Sequence, residues 1–62
     1  MSDIVVAAVI AVVERNNNIR EDVVIRGVAR VWGVSLDMVA ETISQLIELG
    51  CLVQIGNKLT LG

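Results

Sequence analysis

The stretch that decides the fold runs from Val28 to Gly50 and reads Val-Ala-Arg-Val-Trp-Gly-Val-Ser-Leu-Asp-Met-Val-Ala-Glu-Thr-Ile-Ser-Gln-Leu-Ile-Glu-Leu-Gly. Gly33 allows a sharp turn between two helices, if needed with a positive φ. Val34 fills the corner, and Ser35 is a good N-cap because its hydroxyl can accept from an orphan backbone N–H. Gly50 is the residue expected just after the second of these helices. The stretch therefore predicts a tight helix-turn-helix.

The helix that follows Ser35 is predicted to be amphipathic. Apolar side chains recur at helical spacing on one side, which should face the core: Leu36, Val39, Ile43, Leu46 and Ile47. The opposite side carries Asp37, Glu41, Ser44 and Glu48. Asp37 also lies in the first turn, where a negative charge suits the helix dipole. The outward side of this helix is therefore expected to be acidic.

Length and composition limit the class of protein. Sixty-two residues form one domain at most, so residues 1–62 are expected to be a single domain. With 55% of its residues hydrophobic, the chain is too apolar for disorder and more apolar than a small monomer needs. Part of its surface is therefore expected to face a partner. The net charge of −2 lacks the excess of Lys and Arg that most nucleic-acid binders show.

The residue types that common active sites require are largely missing. The chain has no histidine and no tyrosine, and Cys51 is its only cysteine. The acidic residues are spread along helices without the loop of a calcium site, and no Gly-rich loop precedes a helix. We therefore expect no enzyme activity, no catalytic residues, no metal site, no cofactor and no small-molecule substrate. Cys51 is expected to be a small buried hydrophobe.

Targeting signals are equally sparse. The longest uncharged apolar run, residues 4–13, is about half the length that a membrane span needs. The Met-Ser-Asp start lacks the basic segment of a signal peptide, and it favours a whole protein over an excised domain. We expect a cytoplasmic protein with a free thiol and no membrane span.

The same apolar run is predicted to form the first helix, from Ile4 to about Asn16, capped by Ser2 or Asp3. Its alanines favour helix, although its β-branched residues would also suit a strand. Because no polar face precedes Glu14, one side should pack on the core and the remainder on a second copy or another protein. The residues expected at this interface are Val5, Val9 and Val12. The alternative is a monomer that tolerates exposed valine.

A second helix is predicted from about Arg20 to Trp32, after a loop of three asparagines, with Asn18 and Glu21 as a capping pair. One of its sides carries Val24, Val28, Val31 and Trp32. Trp32 is expected to anchor the core, and the alternative is a surface hot spot for a partner. A charged i, i+4 ladder on another side joins Asp22, Arg26 and Arg30. Gly27 costs about 1 kcal/mol in the middle of a helix, so it is expected to allow the close approach of a neighbouring helix.

The C-terminal residues predict a β-hairpin. Two β-prone runs, Cys51–Ile55 and Lys58–Leu61, are separated by Gly56-Asn57, which is typical of a two-residue hairpin loop. This loop pairs Ile55 with Lys58 and Gln54 with Leu59. The face expected to meet the core carries Leu52, Leu59 and Leu61. The other face carries Cys51, Val53, Ile55, Lys58 and Thr60. The predicted fold is therefore mainly α with a small β-hairpin.

A short helix ending in an apolar residue, then Gly33, Val34 and Ser35, then a longer helix closed by Gly50, resembles the core of the winged helix-turn-helix family. The resemblance implies three helices, a C-terminal hairpin as the wing and a short strand at Ile19 beside it. This wing would be stunted, with Lys58 as its one basic residue. The segment from Arg15 to Gly50, which is most of the chain, is also similar to the small C-terminal winged helices of ESCRT-type membrane-remodelling and archaeal cell-division proteins, which implies binding to a partner protein.

DNA binding is the family's most frequent role, and there the third helix enters the major groove. The positions that the resemblance assigns to the groove are Leu36, Asp37, Glu41, Ser44, Gln45 and Glu48. None is Lys or Arg, so phosphate contacts would fall to Arg26, Arg30 and Lys58, helped by Arg15 and Arg20 and doubled in a homodimer. We therefore expect an interaction module that binds a protein or self-assembles through apolar area on its first helix and on the outer face of the wing, with the acidic side of the third helix steering the approach. The alternative for that acidic side is a solvated helix face that keeps the protein soluble. The alternative function is that of a DNA-binding transcriptional regulator.

Overall fold

The fold, taken from a computed structural model that describes residues 3–62, is mostly helical with one small sheet. In chain order its elements are α1 (Asp3–Arg15), β1 (Ile19–Arg20), α2 (Glu21–Trp32), α3 (Leu36–Glu48), β2 (Leu52–Ile55) and β3 (Lys58–Leu61). The sheet is antiparallel with strand order β1-β3-β2. This confirms the predicted fold class and is compatible with a winged helix-turn-helix. Ser2, one of the two expected caps of the first helix, lies outside the described residues.

The turn between α2 and α3 is built as the sequence predicts. Gly33 adopts a left-handed conformation with φ 65°, and its N–H donates to the Ala29 carbonyl. The Val34 N–H donates to the same carbonyl at 3.1 Å, while the Val34 side chain is half-buried against the core. The Ser35 hydroxyl accepts from the Met38 N–H at 3.0 Å and so caps α3. These local bonds fix the direction of α3 relative to α2.

The end of α3 also follows its prediction. Gly50 has φ 80° and donates its N–H to the Ile47 carbonyl at 3.1 Å. The Cys51 N–H donates to the Leu46 carbonyl at 2.9 Å, so the two bonds form a Schellman motif. The motif satisfies carbonyls that the helix end would otherwise leave unpaired, and it turns the chain into β2.

The core is aliphatic and draws on every helix and on the hairpin. Its buried apolar residues are Val5, Ala8, Val9, Val13, Val24, Val28, Ala29, Val39, Ile43, Leu46, Leu52 and Leu59. The buried Thr42 donates its hydroxyl to the Met38 carbonyl at 2.8 Å, so this polar group is satisfied. The expected inward face of α3 is confirmed except at Leu36, which is 55% exposed. Leu36 is the first residue of α3 and lies beyond the edge of the core.

The hairpin has the predicted register, with Ile55 opposite Lys58 and Gln54 opposite Leu59. Leu52 and Leu59 are buried as expected, whereas Leu61 at the strand's end is 39% exposed. The strand that the resemblance implied at Ile19 is present.

The start of α2 differs from the prediction. The helix begins at Glu21 with Arg20 as an N-cap that makes no side-chain cap bond, and Asn18 has φ 67°. The predicted Asn18–Glu21 capping pair is therefore wrong. The reason is long-range: Ile19–Arg20 pairs with β3, and the Glu21 N–H donates to the Asn57 carbonyl at 2.8 Å. The hairpin loop therefore provides the acceptor for a backbone N–H that the start of α2 would otherwise leave unpaired.

Gly27 does not mark a close helix contact. Apart from its chain neighbours and the adjacent backbone of α2, a Cβ atom placed on Gly27 would have no atom of residues 3–62 within 4 Å, because Gly27 lies on the exposed side of α2. The predicted close approach is therefore wrong.

Candidate interaction surfaces

The outward side of α3 is an acidic surface, called here the acidic face. Its residues Asp37, Glu41, Ser44 and Glu48 are exposed, and Gln45 beside them is half-buried. The ion pairs found among residues 3–62 involve a different carboxylate, that of Asp22 on α2. The predicted exposure of this side is confirmed, and its contact with a partner stays a prediction.

Two of the five basic residues share the carboxylate of Asp22. The Arg20 guanidinium approaches it with Nη2–Oδ2 at 2.7 Å and Nε–Oδ1 at 3.1 Å, and the Arg26 Nη2 lies 3.2 Å from Oδ2. The predicted ladder is therefore confirmed between Asp22 and Arg26, but over residues 3–62 Arg30 makes no ion pair. Arg20 replaces it as a second partner of Asp22.

The hydrogen bond from Arg20 is the main reason that the pKa of Asp22 lies below its ordinary value. Slight desolvation opposes this effect, and the charges of Arg20 and Arg26 add to it. Because the pKa is depressed in the folded state, the ion pair stabilises the fold above the ordinary pKa and ceases to do so as the pH falls through the folded value. Its contribution is small because all three side chains are largely exposed.

We expect an NMR titration of the Asp22 carboxyl carbon to show a depressed midpoint that rises in the Arg20→Gln variant. The control is Arg30→Gln, which removes a positive charge from the same helix without touching the Asp22 ion pairs. This variant should leave the midpoint where it is. Equal midpoints in the native chain and in Arg20→Gln would contradict the assignment of the shift to Arg20.

The three candidate phosphate contacts lie in different settings. Arg26 is held by Asp22, whereas Arg30 is exposed in the last turn of α2. Lys58 lies directly opposite Arg20 in the β1–β3 pairing, and both are exposed. Because Asp22 pairs with both Arg20 and Arg26, Arg30 and Lys58 are the candidate contacts without an ion pair among residues 3–62, and neither lies on α3.

The residues expected at an interface on α1 must be corrected. Val5 and Val9 are 1% and 0% exposed, so they form part of the core, and Val12 is half-buried against it. The exposed apolar residues of α1 are instead Ile4, Ala7 and Ala11, called here the α1 outer face. Val5, Val9 and Val13 face the core together with Ala8, whereas Ala7 and Ala11 lie on the outside with Ile4. An apolar surface on α1 exists, but with different residues.

A second apolar surface, called here the corner patch, flanks the turn between α2 and α3. It consists of Val31, Trp32 and Leu36, which are 76%, 53% and 55% exposed. The prediction that Trp32 anchors the core is wrong, because Trp32 is the last residue of α2 and the helix has run past the core there. The position of Trp32 directly before Gly33 marks it as the end of the helix, and side chains at helix ends often lie outside the packed interior. This position could have indicated that Trp32 is exposed.

The outer face of the hairpin is exposed as well. Val53 and Ile55 are 41% and 66% exposed, and Cys51 at the base of the strand is exposed rather than buried. The predicted burial of Cys51 is therefore wrong, although strand alternation had already placed it on the face away from the core. Its thiol is free.

Over residues 3–62, the acidic side chains and Cys51 form no group of three that could hold a metal ion. None of the helices in that range combines the length and the hydropathy that a membrane crossing needs. Comparison of the chain with models of known protein families, with curated proteins and with solved structures found no match. A function can therefore be inferred only from the surfaces described above.

Proposed function

We propose that the chain is a non-enzymatic interaction module of the winged helix-turn-helix type, and that it binds a protein partner or a second copy of itself rather than nucleic acid. The element order and the strand order β1-β3-β2 support the winged-helix assignment. The observation that carries the functional proposal is the acidic face of α3. This is the side that a groove-reading helix would present to DNA.

The charges on α3 oppose contact with a polyanion. A DNA duplex carries about one negative charge per 1.7 Å of its axis, and its affinity for proteins comes mainly from Lys and Arg at the phosphates. The acidic face offers Asp37, Glu41 and Glu48 instead, all exposed. A duplex laid along α3 would bring these carboxylates close to phosphates without a cation on the same face to compensate.

The corner patch supports a protein partner. Trp32 is the only aromatic residue of the chain, and tryptophan is enriched among the residues that dominate protein–protein binding energy. Leu36 begins the same helix that carries the acidic face, so an apolar centre would adjoin a charged rim. A complementary partner would place an apolar side chain against Trp32 and Lys or Arg near Asp37 and Glu41, whose charges would steer its approach.

One observation favours the alternative of a DNA-binding homodimer acting as a transcriptional regulator. Lys58 on the sheet and Arg30 on α2 are exposed and make no ion pair among residues 3–62, so both are available to phosphates. Such a protein would bind DNA phosphates through the sheet and through Arg30. It would then hold α3 away from the groove.

Sedimentation of the pure protein with a labelled DNA duplex, at low salt and at about 100 mM salt, separates the two functions. A protein module should not co-sediment with the duplex at about 100 mM salt. A DNA binder should show affinity that falls steeply with salt and that is lost in the Arg26→Glu/Arg30→Glu and Lys58→Glu variants. The matched control is Glu41→Gln/Glu48→Gln, which removes charge from the acidic face. If the carboxylates repel DNA, this variant should bind the duplex more tightly than the native chain at low salt.

A further inference from the structure

The α1 outer face is a charge-free surface bounded by charges at both ends. Ile4 is 58% exposed, and Ala7 and Ala11 are also exposed. No charged residue occurs between Asp3 and Glu14. We propose that a second copy of this chain covers the α1 outer face, with the two α1 helices packed antiparallel across a two-fold axis. This inference rests on the proposed function, of which self-assembly is one form.

A second copy suits this face for electrostatic reasons. Each copy has a net charge of −2 and an acidic face on α3, so two copies repel one another over much of their surface. The α1 outer face lets them meet without opposing like charges at the centre of the contact. A two-fold contact uses the same patch on both copies, which requires a patch that is compatible with itself.

The small side chains suit a close helix contact. Ala7 and Ala11 are one helical turn apart and therefore lie on the same side of α1. With alanine at the contact, two helix axes can approach to about 8 Å. Val6 and Ile10 beside them are half-buried and would add apolar area at the edge.

The charges at the ends of α1 favour the antiparallel arrangement. A two-fold axis level with Val9 places Ala7 of one copy level with Ala11 of the other. It also places Asp3 level with Arg15 of the second copy, with Glu14 of that copy one residue further in, so that charges of both signs share each end. A parallel arrangement would instead bring Asp3 near Asp3 and Glu14 near Glu14. The antiparallel arrangement also opposes the two helix dipoles, which is the favourable orientation for neighbouring helices.

Ala7→Glu and Ala11→Glu test the contact, because each puts two carboxylates at its centre while leaving the core intact. Sedimentation equilibrium should show the dimer dissociation constant rising by about tenfold or more, with an unchanged circular dichroism spectrum. The matched control is Val23→Glu, which adds the same charge at an exposed site on α2 that lies outside the α1 outer face, the acidic face and the corner patch. The control should leave the dissociation constant unchanged. A native chain that stays monomeric at high concentration, or an equal effect of the control, would overturn the proposal.

Cysteine cross-linking in a Cys51→Ser background tests the direction. Disulfides need Cα atoms within about 7 Å, so only residues at the same level can join. When an isotope-labelled Ala7→Cys chain is mixed with an unlabelled Ala11→Cys chain, oxidation should give mainly the labelled–unlabelled dimer. Predominant homodimers joined 7 to 7 or 11 to 11 would overturn the antiparallel arrangement. Cross-linking no greater than that of Val23→Cys, an exposed site outside the named surfaces, would overturn the contact itself.

The failure of this pairing and the failure of the proposed function give different results. If the protein is a monomer and does not bind DNA, the pairing through α1 is overturned but the protein-binding proposal is not. A cross-linked dimer that binds the duplex would support the pairing and overturn the protein-binding proposal. Trp32 adds an independent readout, since its fluorescence should not change on pairing through α1 and should shift to shorter wavelength if copies meet at the corner patch.

Discussion

The Val9→Asp variant is expected to be unfolded at room temperature. Val9 is fully buried in α1, where it belongs to the core. An aspartate there must either bury an unpaired charge or be protonated at a cost, and either penalty amounts to several kcal/mol. A domain of this size is stabilised by only about 3–9 kcal/mol. The penalty is therefore comparable to the whole stability.

The control for this variant is Ala11→Asp, which introduces the same carboxylate two residues further along the same helix, on the α1 outer face. It should keep the helical circular dichroism spectrum and a cooperative thermal transition, and it should weaken the proposed dimer. The measurement is circular dichroism with heating. A Val9→Asp variant that stays folded and only loses self-association would show that Val9 lies on an interface, as the sequence alone suggested.

The difference between Val9 and Ala11 explains why the sequence predicted α1 correctly but not its inward face. A helical pattern of polar residues normally identifies the outside, and α1 has none before Glu14. Residue size was a partial signal, because a core favours bulky side chains and Ala7 and Ala11 lie outside, but Ala8 is buried and Ile4 is exposed. Residue size identifies the inward face of α1 only when the positions of α2, α3 and the hairpin are known, because these elements set the volume that the α1 side chains must fill.

Features governed by local chemistry were predictable. The left-handed turn at Gly33, the cap at Ser35 and the register of the Gly56-Asn57 hairpin each depend on a few neighbouring residues. The start of α2 was not predictable in this way, because the pairing of β1 with β3 competes with the local capping pattern. That pairing joins residues 19–20 to residues 58–59, which no short sequence window contains.

The candidate surfaces also differ in whether local sequence features predict them. The acidic face follows from the sequence, since charged residues opposite an apolar stripe must face outward. The corner patch does not, because helical periodicity gives the direction of a side chain but not how far the core extends along the helix. Trp32 and Leu36 lie one helical turn from the buried Val28 and Val39 but are exposed, because they are at helix ends.

The Ile43→Ala variant is expected to lose about 2–5 kcal/mol of unfolding free energy, the usual cost of removing a large buried aliphatic side chain. Ile43 is fully buried in the middle of α3, so its truncation leaves a cavity that the surrounding helices can fill only in part. This loss would consume much of the stability of a domain of this size. The variant should remain folded at low temperature but unfold at a much lower urea concentration.

The matched control is Leu36→Ala, a truncation of similar size on the same helix and on the side that periodicity alone assigns to the core. Because Leu36 is 55% exposed, its loss should cost less than about 1 kcal/mol. Urea titrations of both variants at the same protein concentration give the comparison. Equal losses would show that Leu36 is buried in solution. If that loss shrank on dilution, another copy would have to cover the corner patch, and the dimer contact would then lie at the helix-turn-helix rather than on α1.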